Sequence, residues 1–112
     1  MESILTSIKK LLGIQEEYEH FDADIIMHIN SALNSLHQLG IGWSNSFQIT
    51  GKDDVWDDIT TDERQVGMVK MYVFYNVRLG FDPPSNAFVV DSINKRLAEI
   101  EWRLNVAAET NM

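Results

Sequence analysis

The chain has 112 residues, 45% of them hydrophobic, and its 17 acidic against 9 basic residues give a formal net charge of -8. That length predicts one domain, 1–112, burying roughly two-thirds of the surface its unfolded chain exposes. The charge argues against a protein that grips nucleic-acid phosphates; the lack of cysteine excludes a disulfide framework and a Cys-based zinc site; and Lys9 and Lys10 interrupt the first apolar run, leaving no signal peptide and no membrane span.

Residues 3–12 predict a short helix. Ile4, Leu5, Ile8, Leu11 and Leu12 share one face, Lys9 and Lys10 sit away from it, and Gly13 ends it. Residues 15–21, acidic and aromatic, predict a connector. Asp22 is expected to N-cap a second helix that runs to about Leu39, with Ile25, Ile26, Ile29, Leu33 and Leu36 inward and Ser31, Ser35 and Gln38 outward. Gly40 suits the left-handed position that closes such a helix. Residues 40–60 then break the helical pattern, and a connection of that length is usually functional or holds short elements of its own. Phe47-Gln48-Ile49 alternates like a short strand before a Thr50-Gly51 turn signal, and 53–59 predict one helical turn carrying Trp56.

The third helix is the element around which the rest is organised. Asp62 and Glu63 favour its positive end. Val66, Val69, Val73, Val77 and Gly80 form one apolar stripe, and Met68, Met71, Tyr72, Tyr75 and Leu79 form another nearly opposite, with Lys70, Phe74 and Arg78 between them. A surface helix needs one stripe; a helix with two is covered on two sides. Phe81-Asp82-Pro83-Pro84 predicts a rigid turn, because each proline fixes its own φ and disfavours helix in the residue before it. Asp82 is expected to accept N–H bonds at the start of the last helix, with Ser85 as the competing cap. That helix spans about 85–108. Val90, Ile93, Leu97, Ile100 and Leu104 make its 3-4-3-4 seam, Glu99 and Arg103 an i,i+4 pair, and Trp102 falls opposite the seam, near Val106 and Phe88. The fold class predicted is therefore all-α: about four helices, with a long loop or short strand pair between the second and third.

No constellation carries catalysis. His20, Asp24 and His28 have i, i+4, i+8 spacing, but His20 precedes the helix and zinc wants a fourth group and ordered support. Asp53, Asp54, Asp57 and Asp58 lack the calcium-loop pattern and a pocket to shift their pKa values. Thr50-Gly51-Lys52 lacks the leading glycine of a phosphate loop, position 46 being Ser, and is followed by Asp53. The expectation is no enzyme, no cofactor and no metal. The aromatic residues say more. Trp43, Phe47, Ile49 and Trp56 lie on a segment without a helix period, and Trp102 and Val106 lie off the seam. These six are the expected partner interface, against the plainer reading that they extend the core.

Several segments resemble the head–tail connector (head-completion, adaptor) proteins of long-tailed bacteriophages: Trp56-Asp57-Asp58-Ile59; Lys70-Met71-Tyr72-Val73; Arg78-Leu79-Gly80-Phe81-Asp82-Pro83-Pro84; and Glu99-Ile100-Glu101-Trp102-Arg103-Leu104. The N-terminal half is similar more loosely, through Ile25, Ile29 and Leu33 and through Phe47-Gln48-Ile49-Thr50-Gly51. The resemblance implies a structural phage or prophage subunit that forms a homo-oligomeric ring, commonly of twelve copies. The ring docks beneath the portal protein at the head–tail junction of the virion, extends the DNA channel and receives the next joining or tail protein. DNA passes through without sequence-specific binding, and assembly takes place in the host cytoplasm. The alternatives are a small helical protein-binding regulator of the antitoxin type, for which no basic recognition helix is evident, and a metal-dependent enzyme resting on the His and Asp groups above.

Overall fold

Among the described residues, four α-helices, α1 (Ile4–Leu12), α2 (Asp22–Gln38), α3 (Glu63–Phe81) and α4 (Ala87–Thr110), and one 3-10 turn at Trp56–Asp58 follow one another. The computed structural model describes residues 2–39, 48–59 and 63–110, with the side chains of the last stretch described over 65–106. Among the described residues there is no strand, so the fold is all-α. The connection from α2 to α3 is a loop where it is described: Ile49 has no regular structure, and Val55 makes only an isolated antiparallel bridge with Ser3. Gly40, Trp43, Phe47 and Asp62 lie outside the described residues.

Local chemistry sets the helix ends. The Ser3 hydroxyl accepts the Thr6 N–H at 3.3 Å to start α1. Gly13, at φ 81, ends it with a left-handed residue, and the Gly13 and Ile14 N–H groups bond back to Lys10 and Lys9 carbonyls. Asp22 does not cap α2. It is the first helical residue, Phe21 holds the cap position without a side-chain bond, and the Asp22 carboxylate turns to Lys9 instead. Asp82 does not cap α4 either. It pairs with Arg78 one turn back at 3.4 Å, and neither it nor Ser85 supplies the cap: the Asn86 Oδ1 accepts the Phe88 N–H at 2.8 Å, while the Asn86 carbonyl accepts from Val89 and Val90.

Helix α3 packs against α1, α2, α4 and the 3-10 turn. Its Val69, Val73 and Val77 are buried in one cluster with Ile4 and Ile8 of α1, Ile25, Ile29, Leu33 and Leu36 of α2, and Ile49, Trp56 and Ile59 of the connection. The second stripe is closed only in part. Tyr72 is buried, but Met68, Met71, Tyr75 and Leu79 stay half-exposed beneath α4, whose Ile93 and Leu104 are buried and whose Val90, Leu97 and Ile100 are half-buried. The Tyr72 hydroxyl donates to Glu101 Oε1 at 2.9 Å and ties the two helices together. Gly80 has a packing role within α3: a Cβ there would stand 2.7 Å from the His28 ring, so glycine lets α2 approach.

Lys9 departs furthest from the pattern. It was expected outside the apolar face of α1, yet it is 2% exposed. Its ammonium reaches Asp22 Oδ1 at 2.9 Å and donates to the Glu16 and Tyr18 carbonyls at 2.9 and 2.7 Å. A buried cation is tolerable only when it is paired and hydrogen-bonded, and these partners meet that need.

Candidate functional site

The six expected interface residues separate into three groups. Trp43 and Phe47 lie outside the described residues. Ile49 and Trp56 are buried in the chain itself and present no area to a partner. The Asn30 side chain grips Ile49 through both backbone groups, accepting from its N–H at 2.7 Å and donating to its carbonyl at 3.0 Å. The Trp56 indole N–H donates to the Ser7 hydroxyl at 2.9 Å, and that hydroxyl donates to the Ile4 carbonyl. For these two, core packing accounts for the aromatic and aliphatic character that the sequence displayed. Trp102, 67% exposed, and Val106 are on the surface.

The outer face of α4 extends from Phe88, 86% exposed, to Trp102 and Val106. Fourteen residues of helix separate Phe88 from Trp102, about 21 Å. Two ion pairs lie along this face between Phe88 and Val106, Lys95–Asp91 at 3.2 Å and Arg103–Glu99 at 2.7 Å. Surface pairs of this kind hold side chains in place and add little stability. Large aromatic groups on such a face, with the seam already packed on the other side, are what a protein partner uses as anchors.

Beside this face runs the open part of the α3 stripe. Met68, Met71 and Tyr75 from α3, with Arg96 and Ile100 from α4, line a depression of about 330 Å³. A second, of about 280 Å³, adjoins it and shares Tyr75 and Arg96 while adding Phe88 and Val89. The walls are mostly apolar, with the Arg96 guanidinium and the Ser92 and Tyr75 hydroxyls as their polar groups. At the inner edge, the Tyr72 hydroxyl is pushed up to about 12, by burial first and by Glu101 second, so it stays a neutral donor to that carboxylate.

Between α1 and α2, the 15–21 connector is a fixed turn. Lys9 holds two of its carbonyls, and the rings of Tyr18, His20 and Phe21 pack on one another at 4.9 to 6.0 Å. Phe21 in turn meets Phe81 edge-on at 5.3 Å, joining this turn to the end of α3 and to Asp82-Pro83-Pro84. Nothing in the sequence pattern singled out Tyr18 or Arg96. The available signals were weak: a tyrosine between two glutamates, and an arginine beside the seam.

The titratable clusters weighed from sequence do local work. Asp54 Oδ2 accepts the Thr50 and Gly51 N–H groups, and Asp58 Oδ2 accepts that of Val55, which closes the loop around the 3-10 turn. His20 packs on Phe21 before α2 begins, whereas His28 rests on Gly80. Among the described residues, no group of three or more His, Cys, Asp or Glu side chains converges as metal ligands would, and no helix is long and apolar enough to cross a membrane.

The family described as phage connector protein matches residues 4–111 of this chain. No curated protein matches it. No solved structure matches it.

Proposed function

This chain belongs to the phage connector protein family, and on that premise we propose that it forms a homo-oligomeric ring joining the portal of the packaged head to the tail. The family is one of structural phage proteins, not of enzymes; its members belong to the virion and associate with other head and tail proteins. The proposal is finer. Residues 1–112 act as one domain, without catalysis or cofactor. The copies assemble in the host cytoplasm, in a ring of about twelve as the family resemblance implies, and receive the next joining or tail protein. The ring extends the channel through which DNA passes without sequence-specific contact.

The observation that best supports this reading is the outer face of α4. The seam already fills the core side of the helix, and Phe88, Trp102 and Val106 remain exposed. The net charge of -8 supports it too, since an acidic wall repels DNA and lets it slide. Phe81 is the last residue of α3 and not part of the turn. With Asp82, Pro83 and Pro84, which follow it, it serves as a rigid corner that sets α4 against α3 and so aims this face.

The test is native mass measurement and electron microscopy of the chain with its portal protein. A ring on the portal is expected. Trp102→Ala should weaken attachment by about 2 kcal/mol, as for a central interface aromatic, with the melting temperature of the free chain unchanged. A wild-type chain that stays monomeric in the presence of the portal would overturn the proposal.

A further inference from the structure

We infer that two copies of this chain meet head to tail, with the Glu17-Tyr18-Glu19 turn of one copy seating Tyr18 in the α3–α4 groove of the next and its carboxylates facing Arg96. The inference rests on the ring reading above and names the two surfaces that mate.

Charge selects the occupant. A chain of 17 acidic and 9 basic residues repels its own copies, so a contact that sets a local cation against a local anion is favoured over one that does not. Lys9, Lys70, Arg78, Lys95 and Arg103 are each paired with a carboxylate of their own chain. Among the described residues Lys10, Lys52 and Arg96 have no such pair; Lys52 shares a polar hollow with Glu17 and Glu19 of its own chain, and of the three only Arg96 lies at the junction of the two largely apolar depressions. The surface complementary to an apolar groove holding one guanidinium is an exposed ring flanked by carboxylates. Tyr18, 50% exposed between exposed Glu17 and Glu19, has that composition.

The turn is also built to stay in shape. The buried Lys9 ammonium holds the Glu16 and Tyr18 carbonyls, and Asp22 holds the ammonium. Preorganisation of this sort cuts the ordering cost of binding. The two surfaces are different patches. Tyr18 lies on the α1–α2 connector, whereas Gly67, Met71 and Tyr75 of the groove point about 160° away from Val69, Val73 and Val77, the side of α3 that joins the α1 and α2 core. Contact between unlike patches is heterologous and generates a ring or a filament, not a closed pair.

Sedimentation velocity over a concentration series, with and without portal protein, provides the test. Arg96→Glu and Tyr18→Ala should each weaken association between copies by about tenfold or more. A mixture of Arg96→Glu chains with Glu17→Lys/Glu19→Lys chains should recover it, since each reversed surface then finds its opposite. Because the chain has no cysteine, a Glu17→Cys/Ser92→Cys variant under oxidation should give a ladder beyond dimer. Wild-type rings that persist in Arg96→Glu and yield no ladder would overturn this contact while leaving the ring reading standing. A wild-type chain that is monomeric both alone and with portal protein would overturn both.

Discussion

The two sides of α3 carry similar amounts of apolar side chain and meet different fates. On one side Val69, Val73 and Val77 are closed over by α1, α2 and the connection that follows α2. On the other, α4 covers Tyr72 and leaves Met68, Met71 and Tyr75 half-exposed. The valine side is β-branched and stiff, suited to a fixed core. The other side carries methionines and tyrosines, which adapt their shape and keep a polar tip, as binding surfaces do. The comparison teaches that a second apolar stripe on a central helix need not become a second core: α4 closes it only in part, and the remainder is the surface that the proposed contact between copies uses.

Breaking the closed side should have the largest effect. Val73 is fully buried, and Val73→Asp places an unpaired carboxylate in the cluster at a cost of several kcal/mol, comparable to the stability of a domain this size. Circular dichroism melting should show no cooperative transition; an unchanged melting temperature would mean that this side is not the core.

Lys9→Ala tests whether the clamp belongs to the fold. Removing one partner of a buried pair costs about 3–5 kcal/mol, and because the Asp22 side chain is partly exposed a loss of about 2 kcal/mol is expected here. Chemical denaturation reads that loss. Faster amide exchange confined to residues 15–21 would show that the clamp shapes the turn as well.

Asn86→Ala removes the observed cap of α4 and should cost about 1 kcal/mol, while Asp82→Ala, which loses only an exposed i,i+4 pair, should cost less than about 0.5 kcal/mol. The reverse ranking would return the cap to the Phe-Asp-Pro-Pro turn. Smallest of all should be Trp102→Ala: with two-thirds of the ring in solvent, its effect on stability should lie within about 0.5 kcal/mol. A larger loss would place Trp102 in the core and remove it from the assembly surface.

Most of the helical frame was legible because it rests on short-range rules. Gly13 ends α1, the heptad-like seam of α4 is the side that packs, and the 3-10 turn carries Trp56 as its spacing suggests. What escaped depends on partners distant in the chain or on competition among similar neighbours. The pattern rule puts a lysine outside, and only the two carbonyls seven and nine residues on, together with Asp22, make room for Lys9 inside. Asp82, Ser85 and Asn86 can all cap a helix, and the backbone path after Pro84 decides among them. Ile49 and Trp56 looked like partner contacts because no local period buried them, yet Asn30 and Ser7, 19 and 49 residues away, supply their places in the core. The surface of α4 was legible for the opposite reason: once the seam is assigned, Trp102 has only solvent to face.

The Asn30 pincer has a kinetic consequence. Its amide presents one acceptor and one donor to Ile49, the same pair that a neighbouring strand would offer, from a side chain on a helix. The Ile49 N–H should therefore exchange with solvent deuterium slowly, at a rate set by the opening of α2, although Ile49 belongs to no regular element. Both backbone groups of Ile49 are thus held by one side chain of α2, and their opening should keep time with that helix.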